Sequence, residues 1–141
     1  MIDILVVSDA PSVLADVRAA LEDEETFVRE VTDGHAVRLE VAEEAPDLVI
    51  TDMQVGSMGG VAICMDLRLE ASGGRLPPVP VLVLLDRRAD VFLARRSEAE
   101  GFVVKPFDSL RLRRAVRTLL EGGTYEDDSY KPLPLPAEAS S

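Results

Sequence analysis

Short apolar runs alternate five times with amphipathic stretches of helical length, and that alternation limits the fold more than any other feature of the chain. Ile2 to Ser8, Phe27 to Val31, Asp47 to Thr51, Val81 to Leu85 and Gly101 to Val104 read as strands. Most are too continuously apolar to be half-solvated, which is the pattern of parallel strands covered on both faces. Pro11 to Leu21 reads as a helix, with proline in its first turn and Val13, Leu14, Val17, Ala20 and Leu21 on one face. A second helix is expected from about His35 to Glu44, ending before Pro46, and a third from Gly59-Gly60 to about Glu70. Gly73-Gly74 and Pro77-Pro78 mark a loop. Arg88 to Ala99 forms a fourth helix, and Asp108 or Ser109 caps a last one running to about Glu121. Short connections and right-handed crossovers leave few ways to arrange five βα units. The expected one is a doubly wound (βα)5 parallel sheet of strand order 2-1-3-4-5, the flavodoxin-like arrangement.

That order sets strands 1, 3, 4 and 5 side by side, so charged residues at their C-terminal ends share one crevice. Asp9 follows the first run, Asp52 the third, and Lys105 the fifth. Open α/β folds place their sites at this edge of the sheet. The lysine stands out further because the chain has 15 basic residues and only Lys105 and Lys131 are lysines. A compact ammonium does work that a planar guanidinium cannot. Two carboxylates at about 4 Å repel by about 4 kcal/mol gross at an effective dielectric near 20. A hard cation relieves that repulsion, and Mg²⁺ commonly takes one or two carboxylates plus a phosphate oxygen. Two readings follow from these residues alone. One is a phosphoryl-transfer site with Asp52 as nucleophile. The other is a set of loop ions, or a buried Asp-Lys pair that only fixes strand ends.

The length of 141 residues and 47% apolar content suit one folded domain, expected over residues 1–121. Residues 122–141 read as a disordered acidic and proline-rich tail, since Lys131-Pro132-Leu133-Pro134-Leu135-Pro136 can neither continue a helix nor join a central strand. A net charge of −11 argues against nonspecific binding to nucleic acid or anionic membrane and points to protein partners. The N-terminus has no signal-peptide pattern and no run approaches a bilayer-spanning length, so a cytoplasmic location is expected. The single cysteine, Cys64, falls in an apolar helical pattern and reads as a core residue. The single histidine, His35, reads as a solvated helix residue far from the crevice. Gly56, Gly59 and Gly60 lack the spacing and position of a dinucleotide fingerprint, and the acidic first βα loop speaks against a flavin phosphate.

Leu5-Val6-Val7-Ser8-Asp9, Pro46-Asp47-Leu48-Val49-Ile50-Thr51-Asp52-Met53 and Gly101-Phe102-Val103-Val104-Lys105-Pro106-Phe107 together resemble a bacterial response regulator receiver domain. The resemblance covers the chain from Ile2 to about Glu121. It implies that Asp52 is the phosphoacceptor, that Lys105 contacts the phosphoryl group, and that Asp9, Asp52 and the backbone carbonyl of Gln54 hold Mg²⁺. It also implies a cis peptide before Pro106, a histidine kinase, phosphotransfer protein or small donor as phosphoryl source, weak autophosphatase chemistry, and an output protein that the sequence does not name. Dimers through the fourth and fifth helices are common in the family. Here Arg111, Arg113, Arg114 and Arg117 make the last helix basic, and Arg95 and Arg96 are candidates to pair with Asp90, Glu98 or Asp108.

Several positions depart from the family pattern. Ser8 stands where a second acid is usual, so Mg²⁺ is expected to bind weakly. Leu85 replaces the hydroxyl residue that ends strand four, and Phe102 occupies the switch-aromatic position without a phenolic hydroxyl. Gly56 and Gly59 replace a proline and an acid, and the segment from Leu85 to Phe102 is short. The sequence therefore reads as an atypical, stand-alone receiver. Its alternative is a degenerate receiver that binds partners without phosphorylation.

Overall fold

A computed structural model of the chain describes residues 1–56 and 58–128. Strands β1 (Ile2–Val7), β2 (Thr26–Val31), β3 (Leu48–Asp52), β4 (Val81–Leu85) and β5 (Gly101–Val104) pair in parallel in the order β2-β1-β3-β4-β5. The central strands are apolar on both faces because helices cover both. Every residue of β3 and β4 is buried. Helices α1 (Pro11–Leu21) and α5 (Ser109–Leu120) pack on one face, against Ile4, Val6, Ile50, Leu82, Leu84 and Val103. Helices α2 (Val37–Glu43), α3 (Gly60–Ser72) and α4 (Val91–Arg96) pack on the other, against Leu5, Val7, Val49, Val83, Leu85 and Phe102. Wholly buried leucines such as Leu82, Leu84 and Leu112 each contribute roughly 1.5–3 kcal/mol by leaving water. Among the described residues, no helix is long and apolar enough to cross a membrane.

Local chemistry sets the helix ends. Pro11 occupies the first turn of α1, where its missing N–H leaves no bond unmade. The Asp108 carboxylate accepts a 2.7 Å hydrogen bond from the Arg111 amide and caps α5, whose buried stripe is Leu112, Ala115, Val116 and Leu119. Two expected helices are shorter than their periodicity implied. Gly34–Ala36 forms a 3-10 turn, held by the Asp33 side chain accepting from the His35 amide at 3.0 Å, before α2 begins. Arg88–Asp90 forms another 3-10 turn before α4. α4 then stops after Arg96, where the Ser97 hydroxyl donates back to the Ala94 carbonyl at 2.7 Å and Glu98 turns to φ +62°.

The tail expected from Gly122 does not begin there. Tyr125–Glu126 form β6, which pairs in parallel with Gly101 and Phe102 and makes the sheet six-stranded. Asp127 is buried: its amide donates to the Phe102 carbonyl at 3.2 Å and its carboxylate accepts from the Val104 amide at 2.9 Å. A local reading of Tyr125-Glu126-Asp127-Asp128 sees only polar residues, whereas the exposed edge of β5 supplies the partners. The Lys131 to Pro136 motif lies outside the described residues. Within the chain the arginines and acids named for the fourth and fifth helices have the following partners. Arg95 bonds Glu126 at 2.8 Å and lies 6.0 Å from the Phe102 ring centre, Arg96 stacks over Phe92, Asp90 is paired with Arg87, and Asp108 with Arg111.

Candidate functional site

The C-terminal ends of β1, β3, β4 and β5 bring Ser8, Asp9, Asp52, Asp86 and Lys105 to one edge. Asp52 is the last residue of β3 and is 3% exposed. Each of its carboxylate oxygens has a donor. Lys105 Nζ donates to Oδ1 at 2.6 Å, and the Ser8 hydroxyl donates to Oδ2 at 3.0 Å. Ser8 Oγ in turn accepts from the Ala10 amide at 3.1 Å, so the hydroxyl bridges the first βα loop to Asp52. The residue in place of a second acid is thus a hydrogen-bond donor to the buried carboxylate, a role its replacement of an acid did not disclose.

Lys105 also donates to Asp86 Oδ1 at 2.9 Å. Asp86 directly follows β4, as Asp9 lies just past β1 and Asp52 ends β3, so the rule that singled out those acids also reaches this one. Burial disfavours the Lys105 ammonium, but its hydrogen bonds to Asp52 and Asp86, reinforced by their charges, outweigh that and raise its pKa above the ordinary lysine value. The Lys105 amide continues the β5 ladder to the Leu85 carbonyl at 2.8 Å, and the Lys105–Pro106 peptide is cis.

Asp9 is exposed, and its Oδ2 accepts from the Gly56 amide at 2.8 Å, which ties the β1 loop to the loop after β3. Gln54 lies exposed on that second loop, two residues beyond Asp52. Gly60 opens α3 against the site: a Cβ there would lie 2.6 Å from the Asp52 carbonyl oxygen. Leu85 is wholly buried and Phe102 is 3% exposed, both in the core facing α3 and α4. His35 is exposed beside Asp33 in the 3-10 turn that follows β2. Cys64 is buried against the Ser97 carbonyl, and burial pushes its thiol pKa up.

Among the described residues, no group of three or more His, Cys, Asp or Glu side chains is placed to hold a metal ion. The groups that could hold a cation here, the Asp9 and Asp52 carboxylates and a backbone carbonyl, would offer only hard oxygen with two charges. Such a set fits Mg²⁺, which keeps much of its water and needs few carboxylates, better than a metal requiring a full protein cage.

A buried Asp52 paired with a half-buried Lys105 at the C-terminal edge of a doubly wound parallel sheet defines a crevice-site α/β domain. The chain matches the response regulator receiver domain family over residues 4–117 and belongs to it. It is 32% identical over 132 residues to the DNA-binding response regulator MtrA of Mycolicibacterium smegmatis, an alignment covering 94% of this chain and 55% of MtrA. It is 30% identical over 116 residues to response regulator PleD of Caulobacter vibrioides, covering 82% of this chain and 25% of PleD. The chain spans about half the length of MtrA. Among solved structures, the isolated REC domain of RcsB from Salmonella enterica serovar Typhimurium with the phosphomimetic BeF3⁻ superposes with TM-score 0.77 at 20% identity, covering 92% of this chain and 95% of that one. Chemotaxis response regulator CheY4 of Vibrio cholerae gives 0.71 at 23%, covering 83% and 97%. At those identities the structural likeness is one of fold.

Proposed function

We propose that this receiver domain accepts a phosphoryl group on Asp52 from a histidine kinase, a phosphotransfer protein or a small acyl phosphate, and relays the signal by protein-protein contact. The observation that supports this most is the buried Asp52 carboxylate with Lys105 Nζ 2.6 Å from Oδ1. In the transfer, an Asp52 oxygen attacks phosphorus, the new O–P bond forms as the bond to the donor's nitrogen or oxygen breaks, and the donor keeps the electron pair. Lys105 holds the anionic oxygens, and Ser8 orients the carboxylate through Oδ2. Mg²⁺ would be held by Asp9, Asp52 and the Gln54 carbonyl, and would neutralise charge on the phosphoryl oxygens. With Ser8 in place of an acid, its affinity is low.

A homodimer through α4 and α5 belongs to the same reading. β6 is the edge strand between those helices, so residues 125–126 would join that interface. A second reading, a phosphorylation-independent interaction module, draws on Leu85, a wholly buried side chain that cannot hydrogen-bond a phosphoryl group. Intact-mass measurement after acetyl phosphate and Mg²⁺ separates the two. An adduct that disappears in Asp52→Asn supports phosphoacceptance, and no adduct at saturating donor and Mg²⁺ favours the module.

A further inference from the structure

We propose that Asp86 is a positioning residue that couples the charge at Asp52 to the turn leading into α4, by sharing the Lys105 ammonium. Its role in phosphoryl transfer rests on the reading that Asp52 accepts a phosphoryl group. The geometry is a three-member chain: Asp52 Oδ1 lies 2.6 Å from Lys105 Nζ, and Asp86 Oδ1 lies 2.9 Å from the same nitrogen. One positive charge therefore serves two carboxylates. Asp52 is buried and fixed at the end of β3, whereas the Asp86 side chain is 39% exposed and begins a loop. The loop leads directly into structure. Arg87 donates its amide and its guanidinium to the buried Asp90 carboxylate, and Asp90 closes the 3-10 turn from which α4 starts. The Leu85 side chain, wholly buried and apolar, offers no hydrogen bond to the site, so Asp86 is the first side chain past β4 that can sense it.

A phosphoryl group carries about −1.5 to −2 charge and three strong acceptor oxygens. Formed on Asp52, it draws the ammonium toward itself and repels the Asp86 carboxylate across the same lysine. The tether is released and the turn is free to move. This gives a ligand at Asp52 a different affinity for the two positions of the turn, which any population shift requires. Asp86 is in effect a competitor of the phosphoryl group for Lys105, so its removal should strengthen phosphomimetic binding while weakening transmission.

The test uses the full chain and its Asp86→Asn variant, with amide chemical shifts followed as beryllofluoride and Mg²⁺ are added. Asp86→Asn should bind beryllofluoride about fivefold or more tightly, yet lose most of the amide shift response across residues 87–97. Asp86→Glu should restore part of both. Equal affinity and an equal response in wild type and Asp86→Asn would overturn the proposal. A second measurement needs no phosphoryl analogue. In the resting protein, Asp52→Asn should hand the ammonium to Asp86 and move the amide resonances of residues 87–91, and the same substitution in an Asp86→Asn background should leave them in place. Identical changes in both backgrounds would refute the tether even if Asp52 is phosphorylated. Background-dependent changes without any phosphoryl adduct would support the tether and refute phosphoacceptance.

Discussion

Asp127→Ala is the sharpest probe of the sixth strand. The carboxylate is almost wholly buried, accepts from the Val104 amide at 2.9 Å, and faces Arg111 Nε at 3.6 Å. Alanine removes the acceptor and leaves the buried Val104 N–H without it. A hydrogen bond to a charged group is worth about 1.5–3 kcal/mol, and an orphaned buried donor costs a similar amount, so the two figures describe one loss. Arg111 is partly exposed, so its pair adds only about 0.2–1 kcal/mol. The expected destabilisation is about 2–4 kcal/mol. With a urea m-value of about 1–3 kcal/mol/M, the unfolding midpoint should fall by on the order of 1 M with m unchanged. Asp127→Asn keeps an acceptor oxygen and should lose about half as much. Circular dichroism during urea unfolding reads both. A loss below about 0.5 kcal/mol for the alanine variant would show that residues 123–128 do not lie against β5 in solution.

Ser8→Asp should destabilise the Mg²⁺-free protein by about 1–3 kcal/mol, because a wholly buried donor to Asp52 becomes a second negative charge. It should also make the melting temperature rise more steeply with Mg²⁺ than wild type, and equal slopes in EDTA-to-Mg²⁺ titrations would contradict the weak-site account. Lys105 has a pKa raised above 10.5, so the stability it adds is fully present below pH 10.5 and is lost as pH rises through the higher folded value. The stability difference between wild type and Lys105→Met should therefore shrink above that pH, and a gap that stays constant to about pH 12 in urea midpoints would contradict the raised folded value. Gly60→Ala places a Cβ 2.6 Å from the Asp52 carbonyl oxygen, and should lose about 1–3 kcal/mol and slow adduct formation on Asp52. Unchanged stability and adduct yield would mean that α3 is not held against the site.

The alternation of apolar runs and helical periods determined the (βα)5 order, and with it the edge at which Asp9, Asp52 and Lys105 lie. Those signals are local: a buried strand must be apolar, a helix must present one apolar face, and short connections permit few topologies. β4 and β5 occupy Val81–Leu85 and Gly101–Val104 for that reason, and α1 runs from Pro11 to Leu21 as its proline and apolar face require. What depended on distant partners was not legible. β6 exists because the edge of β5 needs hydrogen-bond partners and Asp127 reaches the Val104 amide 23 residues away, although nothing within Tyr125 to Asp128 looks like a strand. α4 stops early for a local reason that apolar periodicity does not encode, since Ser97 bonds back to Ala94 and Glu98 turns left-handed. Ser8 reads in the sequence as a lost charge, while the sheet register across 44 residues makes it a donor to Asp52. Asp86 became a partner of Lys105 by the same route, since the pairing of β4 with β5 sets the two strand ends side by side and a shared ammonium follows only from that placement.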